Sequence, residues 1–150
     1  MVISKDRSIL NILLENSRLS FREIARKAGF SVVTIIKRIR ELEKQKIIRS
    51  YTVDLDYEKL GFDVQAVVQL QIAKGKLFEV EKKIARDPHV FAVYDTTGEH
   101  DSVVIARFRN RRALDVFLKK IQTYDFVKKT KTKLILNTIK EKNSGLSDRS

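Results

Sequence analysis

In the stretch SVVTIIKRIREL, residues 31–42, Val33, Lys37 and Arg40, with Lys44 beyond them, recur at intervals of three and four. A helix advancing about 100° per residue collects them on one side. Taking Ile35 as origin, Ile39 and Leu42 fall within about 40° of it and make the opposite side wholly apolar, while Thr34 and Ile36 flank the charged one. Cationic groups around an outward-facing valine suit nucleic acid. Guanidinium and ammonium groups reach base edges or phosphates, and an apolar side chain turned away from its own core meets a thymine methyl. Phosphate contacts are also expected from Arg22, Arg26 and Arg38, and from Ser31 at the helix start with Val32 beside it.

Helical charge by itself is usually just a solvated face. Here it coincides with elements that would position it. SFRE at 20–23 has Ser-x-x-Glu spacing, which lets Ser20 and Glu23 satisfy each other's free amides and starts a helix at Phe21. Phe21, Ile24, Ala25 and Ala28 share one face, Gly29 is placed to end the helix left-handed, and Ser31 caps the next. An earlier helix, capped by Ser4 and reaching about Glu15, carries Ile9, Leu10, Leu13 and Leu14. Two helices about a short glycine turn, the second basic, make the helix-turn-helix pattern. Ala25, Gly29 and Ile35 fit it, whereas Arg38 stands where that pattern expects an apolar anchor.

Composition agrees. The 150 residues carry a formal net charge of +12, with 12 Lys and Arg against 5 Asp and Glu in residues 1–50 and 19 against 14 in residues 51–150. Such an excess favours an anionic partner, and the first third holds more than half of it. There is no cysteine, which excludes disulfides and thiolate metal sites and suits a reducing compartment. His89 and His100 cannot make a zinc site alone, so neither metal nor cofactor is expected. With no leader pattern and no apolar run of membrane-spanning length, the chain reads as soluble and cytoplasmic, with no membrane partner.

After Lys46 the periodicity changes. IIRSYTVDL at 47–55 is rich in β-branched residues and reads as a strand or an extended linker, and DYEKLGF as one helical turn closed by Gly61. FDVQAVVQLQIA, 62–73, alternates cleanly, with Phe62, Val64, Ala66, Val68, Leu70 and Ile72 on one face. A helix over Leu77 to Arg86 stops at Pro88, strands cover about 90–96 and 102–108, a helix carries Leu114, Phe117, Leu118 and Ile121, and a last strand runs from about Phe126 to Ile139. The order βαββαβ is that of a ferredoxin-like sandwich. The fold class expected is therefore α+β: a three-helix, winged-helix-like helix-turn-helix domain over 1–50, a linker over 51–61, the sandwich over 62–142 and a frayed tail over 143–150. VFAVY at 90–94 and VVIA at 103–106 are apolar on both faces, so the sheet face without helices needs a partner.

The helix-turn-helix, the linker IIRSYTVDLDYEKLGF and a βαββαβ domain containing TTGEHD resemble, over almost the whole chain, the Lrp/AsnC family of feast/famine transcription regulators. That family usually has Thr-Gly-Asp-Tyr-Asp at this turn; Thr97, Gly98 and Asp101 match it, and Glu99 and His100 depart. The resemblance implies a sequence-specific regulator of double-stranded DNA, a homodimer joined through its sheets and able to assemble into tetramers or octamers, with a free amino acid bound near the turn. It implies that Asp101 accepts from the α-ammonium and that backbone around Gly98 holds the α-carboxylate, with Thr97, Glu99 and His100 alongside. Thr130 and Thr132 on the last strand are further polar candidates.

Two rival functions need different sequences or different behaviour. An enzyme is not supported: there is no glycine-rich phosphate loop, no thiol nucleophile and no metal-spaced histidine pair, and Glu99, His100 and Asp101 lie on a turn that cannot exclude water. An architectural protein coating DNA without base preference remains open, because phosphate contacts dominate affinity in both cases.

Overall fold

The computed structural model describes residues 4–141 and 145–146. It divides into two compact units, Met1–Asp54 with Lys140–Ser150, and Leu55–Ile139. Most of the stretch expected to fray, 143–150, lies outside the described residues. Within it, Leu146 exchanges two hydrogen bonds with the Asn11 side chain, at 3.0 and 2.6 Å.

The first unit holds α1 (Ser4–Glu15), α2 (Phe21–Ala28) and α3 (Val32–Lys44). The first helix begins at Ser4 itself rather than after it. Ile9, Ile24, Ala25, Ile35 and Ile39 are buried together, with Leu13, Leu19, Ala28, Phe30 and Val32 packed around them. Past α3 the amides of Ile47 and Ile48 both donate to the Leu42 carbonyl, at 3.0 and 3.1 Å, through Lys46 at φ +59°. Residues 49–56 then carry neither helix nor strand, so the chain there is a linker. The Tyr51 hydroxyl fastens its start to Glu43 at 2.8 Å; burial, and then that carboxylate, push the phenol up to about 12.

In the second unit β1 (Val64–Ile72), α4 (Leu77–Ile84), β2 (Val90–Asp95), β3 (Ser102–Phe108), α5 (Arg111–Gln122) and β4 (Val127–Ile135) follow in the expected order. The sheet is antiparallel throughout, ordered β2-β3-β1-β4. Period-two alternation turns Ala66, Val68, Leu70 and Ile72 of β1, with Val104, Ala106 and Phe108 of β3, onto Val80, Ile84, Leu114, Phe117 and Ile121 of the helices. The remaining face carries Val67, Gln69 and Gln71, register partners Val103 and Ile105, and a row of lysines, 129, 131 and 133, on β4. There the Arg107 guanidinium lies 4.0 Å from the Tyr57 ring and 3.8 Å from the Phe91 ring. β4 ends at Ile135, short of the expected Ile139.

His89 follows Pro88 at the entry to β2. Its ring stacks on Phe108, 4.9 Å between centroids, while Asp87 accepts from its backbone amide and contacts its Nδ1. Lys120 of α5 donates to the same Asp87 carboxylate at 2.8 Å. Asp87 is thereby a junction between α5 and the entry to β2.

Candidate nucleic-acid interface and effector site

Three capping devices set the orientation of α3. Ser20 accepts from the Glu23 amide at 3.3 Å while Glu23 Oε2 accepts from the Ser20 amide at 2.8 Å, completing the capping box and holding the Glu23 carboxyl below the usual range. Gly29 ends α2 at φ +70°, and its amide and that of Phe30 both donate to the Ala25 carbonyl. Ser31 then accepts from the Thr34 amide at 3.1 Å. A three-residue turn thus joins two helices with fixed ends.

The helix they present is sharply divided. Ile35, Ile39 and Leu42 are 0–3% exposed, whereas Val33 is 77% exposed and stands on the same surface as Lys37, Arg40 and Lys44. Arg22 and Arg26 are exposed on α2, and Thr34 and Ile36 are half-buried at the margins of the outer face of α3. Among the described residues none of Arg22, Arg26, Lys37, Arg40 and Lys44 makes an ion pair, so their charge is available to an anion.

Two expected members of this surface face inward instead. Val32 packs on the core of the three helices. Arg38 places its Nε 3.4 Å from the Asp6 carboxylate, which is 9% exposed. Arg38 therefore joins α3 to α1 where the usual pattern has an apolar anchor. Removing this cation would leave a buried carboxylate unpaired, which is strongly destabilising.

The turn between β2 and β3 is held by its own chain. The Thr96 hydroxyl donates to the His100 carbonyl at 3.0 Å, its amide donates to the Asp101 carbonyl, and Gln71 Nε2 donates to the Glu99 carbonyl at 2.8 Å. Gly98 sits at φ +110°, a conformation that L side chains avoid. Beside the turn, on the face without helices, is a cavity of about 450 Å3 lined by Gln69, Thr96, Thr97, Glu99, His100, Val103, Lys131 and Lys133.

Of the residues expected there, Thr97, Glu99 and His100 line this cavity, and Gly98 shapes the turn without lining it. Asp101 does something different: its carboxylate accepts from the Ile72 amide at 2.7 Å and its own amide donates to the Leu70 carbonyl, stitching the turn to the end of β1. One of its carboxylate oxygens is thus already engaged by backbone. Thr130 and Thr132 are on the wrong side of β4. They pair with Leu70 and Val68 and face the helices, where Gln122 contacts Thr130 at 3.4 Å. The alternate residues Lys131 and Lys133 reach the cavity. Hydroxyls are the natural polar candidates on this strand, but Thr130 and Thr132 share their register face with the core residues of β1. His100 is only 7% exposed although it sits on a turn.

Residues 4–43 match the AsnC-type helix-turn-helix domain and residues 65–144 the Lrp/AsnC ligand binding domain. The chain belongs to the Lrp/AsnC family. Its relatives include an uncharacterized HTH-type transcriptional regulator of Pyrococcus furiosus, 47% identical over 91% of this chain and 92% of that protein. The HTH-type transcriptional regulator FL11 of Pyrococcus horikoshii is 35% identical over 91% and 90%. Among solved structures, E. coli AsnC superimposes with a TM-score of 0.90 at 26% identity, over 97% of this chain and 99% of that one. A transcriptional regulator of Neisseria meningitidis in complex with L-Met gives 0.88 at 25% identity, over 98% and 97%. Like its Lrp/AsnC relatives, the protein is an HTH-type transcriptional regulator and not an enzyme. Among the described residues no helix is long and apolar enough to cross a membrane.

Proposed function

We infer that this regulator reads specific duplex sites with the outer face of α3, and that a free amino acid bound beside the 96–101 turn modulates its DNA binding. The observation that carries the first half is the division of α3: a core side shut to solvent and an outer side where Val33, Lys37 and Arg40 are exposed and, among the described residues, Lys37 and Arg40 make no ion pair. In the major groove Arg40 and Lys37 meet base edges, Val33 and Ile36 meet thymine methyls, and Arg22 and Arg26 hold phosphates. The fixed turn and adjacent cavity support the second half, as does the L-Met complex of a structural neighbour. The protein acts as a homodimer joined through the helix-free face of the sheet, assembles further, and works in the cytoplasm. An amino acid that favours one assembly shifts how many helix-turn-helix pairs engage DNA together.

Selection from a random duplex library, followed by titrations at several salt concentrations, tests the reading. The expected product is a pseudo-palindrome with half-sites about 10 bp apart or a multiple of that. Equal affinity for all sequences would replace it with the architectural, DNA-coating function. The effector half is tested by a thermal-shift screen with the twenty amino acids at millimolar levels, since a ligand of the native assembly raises its stability by mass action.

A further inference from the structure

Arg38 occupies the position where a helix-turn-helix usually has an apolar anchor, and an acid answers it there. Its Nε lies 3.4 Å from Oδ1 of Asp6, a residue in the first turn of α1. The Asp6 side chain is 9% exposed and, among the described residues, that oxygen accepts no hydrogen bond. An acid in a first turn suits the helix dipole, but it does so from the surface and need not be buried. A buried ion pair with an unsatisfied oxygen gains less than well-packed apolar side chains of similar volume would. The pair is therefore a poor device for stability alone, and departures of this kind gather where a protein does its work.

The far end of the arginine supplies a use. A guanidinium has five N–H donors, and the ion pair involves only the one on Nε, which leaves the four on its two Nη atoms. The Arg38 side chain is 29% exposed. Ser31, Thr34 and Arg38, at steps of three and four, form one line along the edge of α3 between its core side and its outer face. Long side chains on a helix lean toward its N-terminus, and that is the end of a recognition helix that contacts base edges, with phosphates on either side. We propose that Asp6 is a positioning residue for DNA binding: its carboxylate holds Nε of Arg38 so that the Nη groups are presented, already ordered, to a phosphate at the edge of the groove. This rests on the reading that the outer face of α3 meets DNA. A buried carboxylate thereby raises affinity for a polyanion although its own charge opposes it, because an arginine fixed beforehand has less rotamer freedom to lose on binding.

Equilibrium titrations of the full chain with duplex DNA at several salt concentrations test this. Asp6→Asn removes a negative charge, which by itself would strengthen binding; it should instead weaken binding about two- to tenfold with the salt slope unchanged. Arg38→Gln should lower the slope of log K against log salt by about 0.9, so that its deficit against the parent shrinks about 3.5-fold between about 50 and 200 mM salt. Adding Asp6→Asn to Arg38→Gln should cost no further affinity, because the carboxylate then has nothing to hold. Arg38→Gln leaves Asp6 unpaired, so the pair is also replaced together: Asp6→Leu with Arg38→Met should melt near the parent in circular dichroism and still lose about 0.9 of the slope. If that double variant binds with the parent's affinity and slope, the pair is only structural and the proposal is overturned. Binding of Asp6→Asn as tight as the parent's, or tighter, overturns it as well. If the parent binds no duplex even at low salt, the reading of α3 falls with it.

Discussion

Arg22 and Arg40 present the same guanidinium to the same polyanion from different helices, and their neighbours decide what each can contribute. Arg40 shares the outer side of α3 with Val33 and Lys37, whereas Arg22 sits in the first turn of α2. Arg40→Ala is expected to cost about 1–3 kcal/mol on the preferred site and to relax preference at particular base pairs. Arg22→Ala should weaken binding alike on all duplexes and lower the salt slope by about 1. Competition assays with single-base operator variants distinguish the two; equal losses on every sequence for both variants contradict base reading by Arg40. Asp87 makes a different kind of prediction. Burial raises its carboxyl, but the Lys120 ammonium and the His89 side chain and amide lower it by more, so the net shift is below 3.8. A carboxyl depressed on folding contributes stability above its unfolded pKa and loses it as pH falls through the folded one. Asp87→Asn should therefore melt below the parent at neutral pH, and the gap should close in melts taken at progressively lower pH below about 3.8.

At the scale of elements, the turn before α3 makes the clearest test. An alanine Cβ at Gly29 would meet nothing within 4 Å, so Gly29→Ala measures backbone conformation alone. A loss of about 1–2 kcal/mol is expected from denaturant melts, and about 1 kcal/mol for Ser20→Ala through the lost cap. Much of this was legible in the sequence, because caps and periodicity are local: Ser20, Glu23, Gly29 and Ser31 announce where helices begin and end, and the alternation of 62–73 announces β1. What was hidden depends on distant partners. Nothing near Arg38 reveals that a buried Asp6, a whole helix away, claims it. Nothing in KTKTK at 129–133 says whether the lysines or the threonines share a face with Leu70; only the register with β1 decides that. His100 looked peripheral because a turn is usually exposed, yet this turn folds back over the sheet. Of the eight residues lining the cavity, the turn itself pointed to Thr97, Glu99 and His100, while Gln69, Thr96, Val103, Lys131 and Lys133 come together only through the sheet.

At the scale of the whole molecule, the helix-free face of the sheet needs an explanation. Val67, Val103 and Ile105 lie there half-buried within a single chain, and a two-layer sandwich has nothing of its own to cover them. A second copy covers them if the protein dimerises through this face. Ile105→Asp is expected to give a monomer in sedimentation equilibrium while α4 and α5 keep their far-UV signal; a dimer of undiminished affinity would move the interface elsewhere. The margins of the same sheet behave otherwise. β2 is short and its register slips between Val90 and Ala92, while β4 lines its border with Lys129, Lys131 and Lys133. Interrupted pairing on one rim and crowded positive charge on the other both discourage foreign strands from docking. Ribbons of the amyloid kind, which grow by adding strand to strand, are thereby denied both of their starting edges.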